Sequence, residues 1–258
     1  MAPLAFITGA SSGIGQALAW RYYQAGYALA LVARRTNEMQ AWVQAQKIDP
    51  LRYRLYGADV ADIESIVGAA QQCLHTQGVP DVVIANAGIS IGMDTRIRSD
   101  LDVMARTFAV NNVGLAATFH AFVEPMVARG SGRLVGIASV AGIRGIPGHG
   151  AYCASKAGVI SYCESLRGEL RGTGVGVVTI GPGYIDTPLT QKNRYRMPFL
   201  MSPQDFAERA YSAIDANVSY RVIPWQMGWL AKGLRMLPNA LFDRVLAGRP
   251  RKRRADGS

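Results

Sequence analysis

Tyr152 and Lys156 stand four residues apart, a spacing that on a helix puts both side chains on one face, one turn above the other. An ammonium beside a phenol favours the phenolate, so a group that ordinarily loses its proton near pH ~10 is drawn toward neutrality and becomes a usable acid or base. Ser139 lies thirteen residues upstream, directly after the apolar run Leu134 to Ala138. That run reads as a buried strand, and the carboxyl end of such a strand is where open α/β sheets bind ligands. The three side chains can converge on one substrate oxygen. The Y-x-x-x-K spacing alone is equally satisfied by a solvated surface pair, so the elements that must position these residues carry the decision.

Leu4 to Ile7 predicts a first buried strand, and TGASSGIG follows at 8–15. Glycines 9, 13 and 15 allow a tight turn and a close approach of backbone to a pyrophosphate. The helix behind them, supported by Ile14, Leu18 and Tyr22 with Gly26 as its C-cap, offers free N–H groups to an anion. An ordinary glycine-rich turn is the plainer alternative; the order strand, turn, helix favours a dinucleotide. Ala28 to Ala33 predicts the second strand. A dinucleotide fold chooses its ribose partner at that point, where an acidic residue accepts from the 2′-hydroxyl of NAD. Here stand Arg34 and Arg35, two guanidiniums suited to a 2′-phosphate, so NADP(H) is favoured over NAD(H) unless the arginines merely face solvent.

The alternation continues along the chain. Helix is expected over 36–47 with Thr36 or Asn37 as cap, strand over 52–56, helix over 62–77, and a strand over 81–85 running into Asn86, Ala87 and Gly88. Asp59, after the third strand, can reach an adenine ring or cap the next helix. Residues 101–128 read as helix, with Asn111 and Asn112 in mid-run signalling a local irregularity or a polar task. Strand 134–138, helix 152–171, strand 175–180, helix 205–216 and edge strand 218–223 complete the pattern. This predicts an α/β, Rossmann-type doubly wound fold: about seven parallel strands flanked by helices on both faces. It forms a single domain over residues 1–224, with an apolar and basic helical extension of that domain over 225–248 and a basic tail, expected to be disordered, over 249–258.

Composition narrows the function. The 258 residues include Cys73, Cys153 and Cys163 without C-x-x-C spacing, and scattered His75, His120 and His149. Neither a disulfide framework nor a metal site is expected. The N-terminus lacks the pattern of a signal peptide, and no apolar run reaches membrane-spanning length, which points to a cytoplasmic enzyme. Five cations against one acid in the last ten positions hold +4 of the net charge of +10, so the body is mildly basic and nucleic-acid binding is not expected. Residues 189–201, with Lys192, Arg194, Tyr195, Arg196 and Phe199, have the place of a substrate-covering loop whose cations either attract an acidic substrate or face solvent. The extension from Trp225 through Trp229, Leu230, Leu234, Leu237 and Leu241 suits a wall over the pocket, a dimer contact, or peripheral membrane association through an interfacial helix that Pro238 interrupts.

Taken together, TGASSGIG at 8–15, ADV at 58–60, NAG at 86–88, VNNVG at 110–114, Ser139, YCASK at 152–156 and PGYIDT at 182–187 resemble the short-chain dehydrogenase/reductase family in its short single-domain branch. The resemblance covers roughly residues 4–190. It implies a catalytic set of Asn111, Ser139, Tyr152 and Lys156. Tyr152 would act as acid/base, Lys156 would lower its pKa and bind the nicotinamide ribose, Ser139 would orient the substrate oxygen, and Asn111, matching N-x-x-G to Gly114, would hold a water in a proton relay. It implies cofactor contacts from Gly9, Ser11, Gly13, Ile14, Gly15, Arg34 and Arg35 on the phosphate side, Asp59 and Val60 at the adenine, Asn86, Ala87 and Gly88 at the ribose, and Pro182, Gly183, Ile185 and Thr187 toward the nicotinamide. The implied activity is NADP(H)-dependent hydride transfer with a small-molecule carbonyl or secondary alcohol, in a homodimer or homotetramer. The alternative from another class is a non-catalytic NADP-binding regulator or scaffold.

Overall fold

The structure is a computed structural model that describes residues 2–191, 193, 196–248, 252 and 254. Its frame is a seven-stranded parallel sheet in the order β3-β2-β1-β4-β5-β6-β7. The strands are β1 (Leu4–Thr8), β2 (Ala28–Ala33), β3 (Tyr53–Gly57), β4 (Val82–Ala85), β5 (Gly132–Ile137), β6 (Val175–Pro182) and β7 (Tyr220–Ile223). The central strands are apolar without alternation because both faces of the sheet are covered. On one face α3 (Ile63–Gln77), α5 (Gly114–Arg129) and α6 (Gly150–Glu169) pack Ile66, Phe119, Phe122 and Val159 against Phe6, Val83 and Leu134. On the other, α1 (Gly13–Gln24), α2 (Thr36–Ala45) and α7 (Pro203–Asp215) pack Leu18, Tyr22, Met39 and Phe206 against Ile7, Leu31 and Val135. Each of these fully buried side chains contributes roughly 1.5–3 kcal/mol of apolar burial.

Strand order reverses between β1 and β4, and a doubly wound sheet opens a crevice at such a switch point. Thr8 ties the two strand ends together: its Oγ1 accepts from Asn86 N at 3.0 Å and Ala87 N at 3.1 Å, while Asn86 Nδ2 donates to Thr8 O at 2.9 Å.

Two local expectations are corrected, and one irregularity is located. Helix α2 starts at Thr36 with Arg35 at its cap position and no side-chain cap, because neither Thr36 nor Asn37 precedes the first helical turn. Asp59 does not cap α3; Asp62 does, accepting from Ser65 N at 3.2 Å, while Asp59 Oδ1 closes the turn by accepting from Ala61 N at 3.0 Å. The helix over 101–128 is divided into α4 (Asp100–Phe108) and α5 by a π-helical turn at Ala109–Val113, where the two asparagines sit. Such turns insert one residue and re-aim a side chain.

After β7 the chain forms α8 (Trp225–Met236) and α9 (Asn239–Leu246), separated at Pro238. Arg144 pins them: its guanidinium donates to Leu234 O, to Leu237 O at 2.8 Å and to Asn239 Oδ1 at 3.1 Å, and lies 3.7 Å from the centre of the Phe242 ring. A cation at the carboxyl end of α8 also meets the negative end of the helix dipole. Trp225 and Trp229 remain exposed. No described helix is long and apolar enough to cross a membrane. Lys192, Arg194 and Tyr195 of the expected covering loop, and the tail apart from Lys252 and Arg254, lie outside the described residues.

Candidate active site

A cleft of about 800 Å³ runs along the carboxyl ends of the strands. At its floor, Gly9 has φ +68°, a conformation that disfavours side chains, and a Cβ there would come within 2.9 Å of Ala87 Cα. A Cβ on Gly15 would collide with the carbonyl oxygen of Gly9 and reach 2.9 Å from Asn86 Nδ2. These glycines let the β1–α1 turn lie flat against the end of β4. Ser12 gives α1 no side-chain cap, so its first-turn N–H groups, at Gly13 and Ile14 on the cleft wall, are available to an anion.

Arg34 and Arg35 stand at one end of the cleft. Arg35 donates to Glu38 Oε1 at 2.8 Å and to Ser11 Oγ at 3.2 Å, bracing the glycine turn. Among the described residues Arg34 has one polar partner, a 3.6 Å ion pair with Asp59 between two well-exposed side chains, a contact of small worth that a ligand can displace.

At the other end, Ser139 follows β5 in extended conformation, its Oγ accepting from Ala141 N at 3.2 Å and donating to Pro182 O at 3.5 Å, and it borders the cleft with Tyr152. Tyr152 and Lys156 share one face of α6, the Lys156 ammonium 5.9 Å from the centre of the Tyr152 ring. Burial raises the pKa of Tyr152, and the neighbouring Ser139 hydroxyl opposes that rise only in part. The expectation of a phenol drawn toward neutrality by lysine is thereby corrected. Lys156 Nζ donates to the Ile137 carbonyl at 2.7 Å, and burial lowers its own pKa to about 8. Desolvation outweighs the pairing that spacing suggested.

Asn111 does not line the cleft; it stands behind the wall. Its Oδ1 accepts from Ile89 N at 2.9 Å, and its Nδ2 donates to Ile89 O at 3.0 Å and Ser155 Oγ at 2.9 Å. It clamps the β4 exit loop to α6. A Cβ on Gly88 would lie 3.3 Å from Asn111 Oδ1 and 3.4 Å from Lys156 Nζ, so the two side chains flank that glycine. Apart from Asn111 and Gly15, every residue expected in the site borders the cleft: Gly9, Ser11, Gly13, Ile14, Arg34, Arg35, Asp59, Val60, Asn86, Ala87, Gly88, Ser139, Tyr152, Lys156, Pro182, Gly183, Ile185 and Thr187. Ser90, Arg106, Lys252 and Arg254 also border it and were not anticipated.

The model of the short-chain dehydrogenase family matches residues 3–197. The chain belongs to the short-chain dehydrogenase/reductase family. An uncharacterized oxidoreductase of Myxococcus xanthus is 37% identical over 242 residues, 93% of this chain and 94% of that protein. Among solved structures, a short-chain dehydrogenase from Streptomyces avermitilis superposes with a TM-score of 0.82 at 25% identity, covering 96% of this chain and 95% of that one. An alcohol dehydrogenase from Thermococcus sibiricus, complexed with 5-hydroxy-NADP, has a TM-score of 0.75 at 27% identity, over 86% and 95% of the two chains. This family membership makes the chain an oxidoreductase.

Proposed function

We propose that this short-chain dehydrogenase/reductase interconverts a carbonyl and a secondary alcohol with NADP(H), Tyr152 acting as acid/base. The observation that carries the reading is the meeting of Ser139, Tyr152 and Lys156, the last two on one face of α6, at one end of a cleft whose far end holds Arg34 and Arg35.

The residues fit a dinucleotide. The glycine cradle, the uncapped α1 N-terminus and the weakly engaged Arg34 lie in series along the cleft, and they would hold the pyrophosphate and a 2′-phosphate. When bound, the cofactor supplies or receives the hydride. The protein does the rest. Ser139 and Tyr152 present two hydroxyls to one carbonyl oxygen, where negative charge develops during reduction. A phenol with a raised pKa is protonated at rest, the state needed to donate in the reductive direction. Lys156, charged at neutral pH, holds the ribose side and sets the field around the phenol. Asn111 fixes the segment carrying Gly88 and Ile89 beside Lys156, where the proton relay would run. Four side chains arranged in this way favour an enzyme over a cofactor-binding scaffold. The substrate is a small carbonyl or alcohol compound, and the assembly a homodimer or homotetramer that light scattering would size.

Parallel fluorescence titrations with NADPH and NADH test the reading. Tighter NADPH binding is expected; a preference for NADH would remove Arg34 from the site, and binding of neither would leave no dehydrogenase.

A further inference from the structure

The basic tail is unlike a solvated charge run at its two described residues. Arg254 makes a bidentate pair with Asp100, Nε to Oδ2 at 2.8 Å and Nη2 to Oδ1 at 2.9 Å. The Asp100 side chain is 3% exposed and also accepts from Asp94 N at 2.7 Å. Charge-assisted pairs on a buried carboxylate are among the stronger polar contacts, and removing one partner strands the other charge. The first residue of α4 thus anchors the tail across 154 positions of sequence.

Two residues before that anchor, Lys252 enters the cleft. Its Nζ donates to Ser90 Oγ at 2.8 Å and lies 5.9 Å from the centre of the Tyr152 ring. No carboxylate among the described residues pairs with it, and burial draws its pKa down to about 8. An ammonium taken from water without a counter-charge is costly to hold. This one is held beside the proposed proton donor, with a neutral hydroxyl as its hydrogen-bond partner. Arg106 lines the same cleft, and among the described residues the one acid lining it, Asp59, stands at the Arg34 end. A dinucleotide's phosphates answer the cations at the Arg34 end; they leave Lys252 without a counter-charge.

We propose that Lys252 is a substrate-binding residue for a carboxylate, and that the preferred substrates are oxo acids with the carboxylate a few bonds from the reacting carbonyl. The Arg254–Asp100 pair positions Lys252 for that contact. The inference rests on the reading of Tyr152 and the NADP(H) site given above.

The test is calorimetric and needs no turnover. The full chain, saturated with NADP+, which cannot reduce a carbonyl, is titrated with phenylglyoxylate, 4-oxopentanoate and 4-formylbenzoate and with the methyl ester of each. At least one acid is expected to bind about tenfold or more tighter than its ester, the scale of one charge-assisted contact. Lys252→Ala abolishes that ratio and Lys252→Arg retains it. Arg254→Gln lowers the affinity for the acid and not for the ester, whereas a merely structural role would weaken both. Equal binding of acids and esters, no binding of any acid, or a ratio unchanged in Lys252→Ala overturns the proposal. So does loss of NADP+ affinity in Lys252→Ala, which would assign the cation to the cofactor. Failure of the wild-type protein to bind NADPH in the fluorescence titration above would instead bring down the dehydrogenase reading, and this inference with it.

Discussion

Lys156 Nζ lies 2.7 Å from the carbonyl oxygen of Ile137, at the last residue of β5, so the ammonium that spacing assigns to Tyr152 is spent partly on fastening α6 to the sheet. It is also almost fully buried. Fold and chemistry therefore make opposing demands on one side chain: the fold would be better served by an apolar residue, and the proposed reaction needs the charge.

That conflict has a measurable sign. The folded-state pKa of Lys156 is lowered from 10.5 to about 8, which corresponds to roughly 3 kcal/mol. Below pH about 8 the lysine is charged in both folded and unfolded chains and the fold carries the full cost; stability is regained as pH rises from there toward 10.5. Lys156→Met should be more stable than wild type near pH 7 by about 2 kcal/mol, after about 1 kcal/mol is subtracted for the lost hydrogen bond. The difference should fade toward pH ~10, and activity should be lost. Urea unfolding of both proteins across that pH range checks it; a variant less stable at pH 7 would contradict it.

Arg34 and Arg35 are separable. Among the described residues Arg34 is held by one long, exposed ion pair, while Arg35 is engaged with Glu38 and Ser11. Arg34→Ala should weaken NADPH binding by roughly 10- to 100-fold, the loss of a charge-assisted contact, with little effect on NADH. Fluorescence titrations measure both constants. Equal loss for the two nucleotides would place Arg34 away from the 2′-phosphate.

Gly15 has no room for a methyl group, since a Cβ would collide with the Gly9 carbonyl. Gly15→Ala should destabilise the fold by about 1–3 kcal/mol and weaken nucleotide binding. Gly68, inside α3 with nothing within 4 Å of its Cβ position, is the control. Gly68→Ala should stabilise by about 0.5–1 kcal/mol, and thermal melts compare the two.

Most of the fold is legible because its central strands are buried on both faces: runs such as Ala28–Ala33 and Val82–Ala85 are apolar throughout and bounded by glycine or polar residues. The paired asparagines at 111 and 112 signalled a local irregularity or a polar task, and the π-helical turn falls on them. What spacing does not encode is desolvation, so the direction of the Tyr152 shift could not be read from its distance to Lys156. Lys252 and Arg254 were hidden for another reason. A basic run looks solvated until the fold brings Asp100 and Ser90 to meet it, and no local pattern marks a pairing so distant in sequence.

The central claim, that Tyr152 donates the proton, is tested most directly by single-turnover reduction of a carbonyl substrate by pre-bound NADPH in wild type and Tyr152→Phe, with bound-nucleotide fluorescence followed in the same cell. Both proteins should bind NADPH equally, and the variant should react at least about a hundredfold more slowly, the lower range for a positioned general acid. Reaction rates within a few-fold of each other at equal NADPH occupancy would contradict the account.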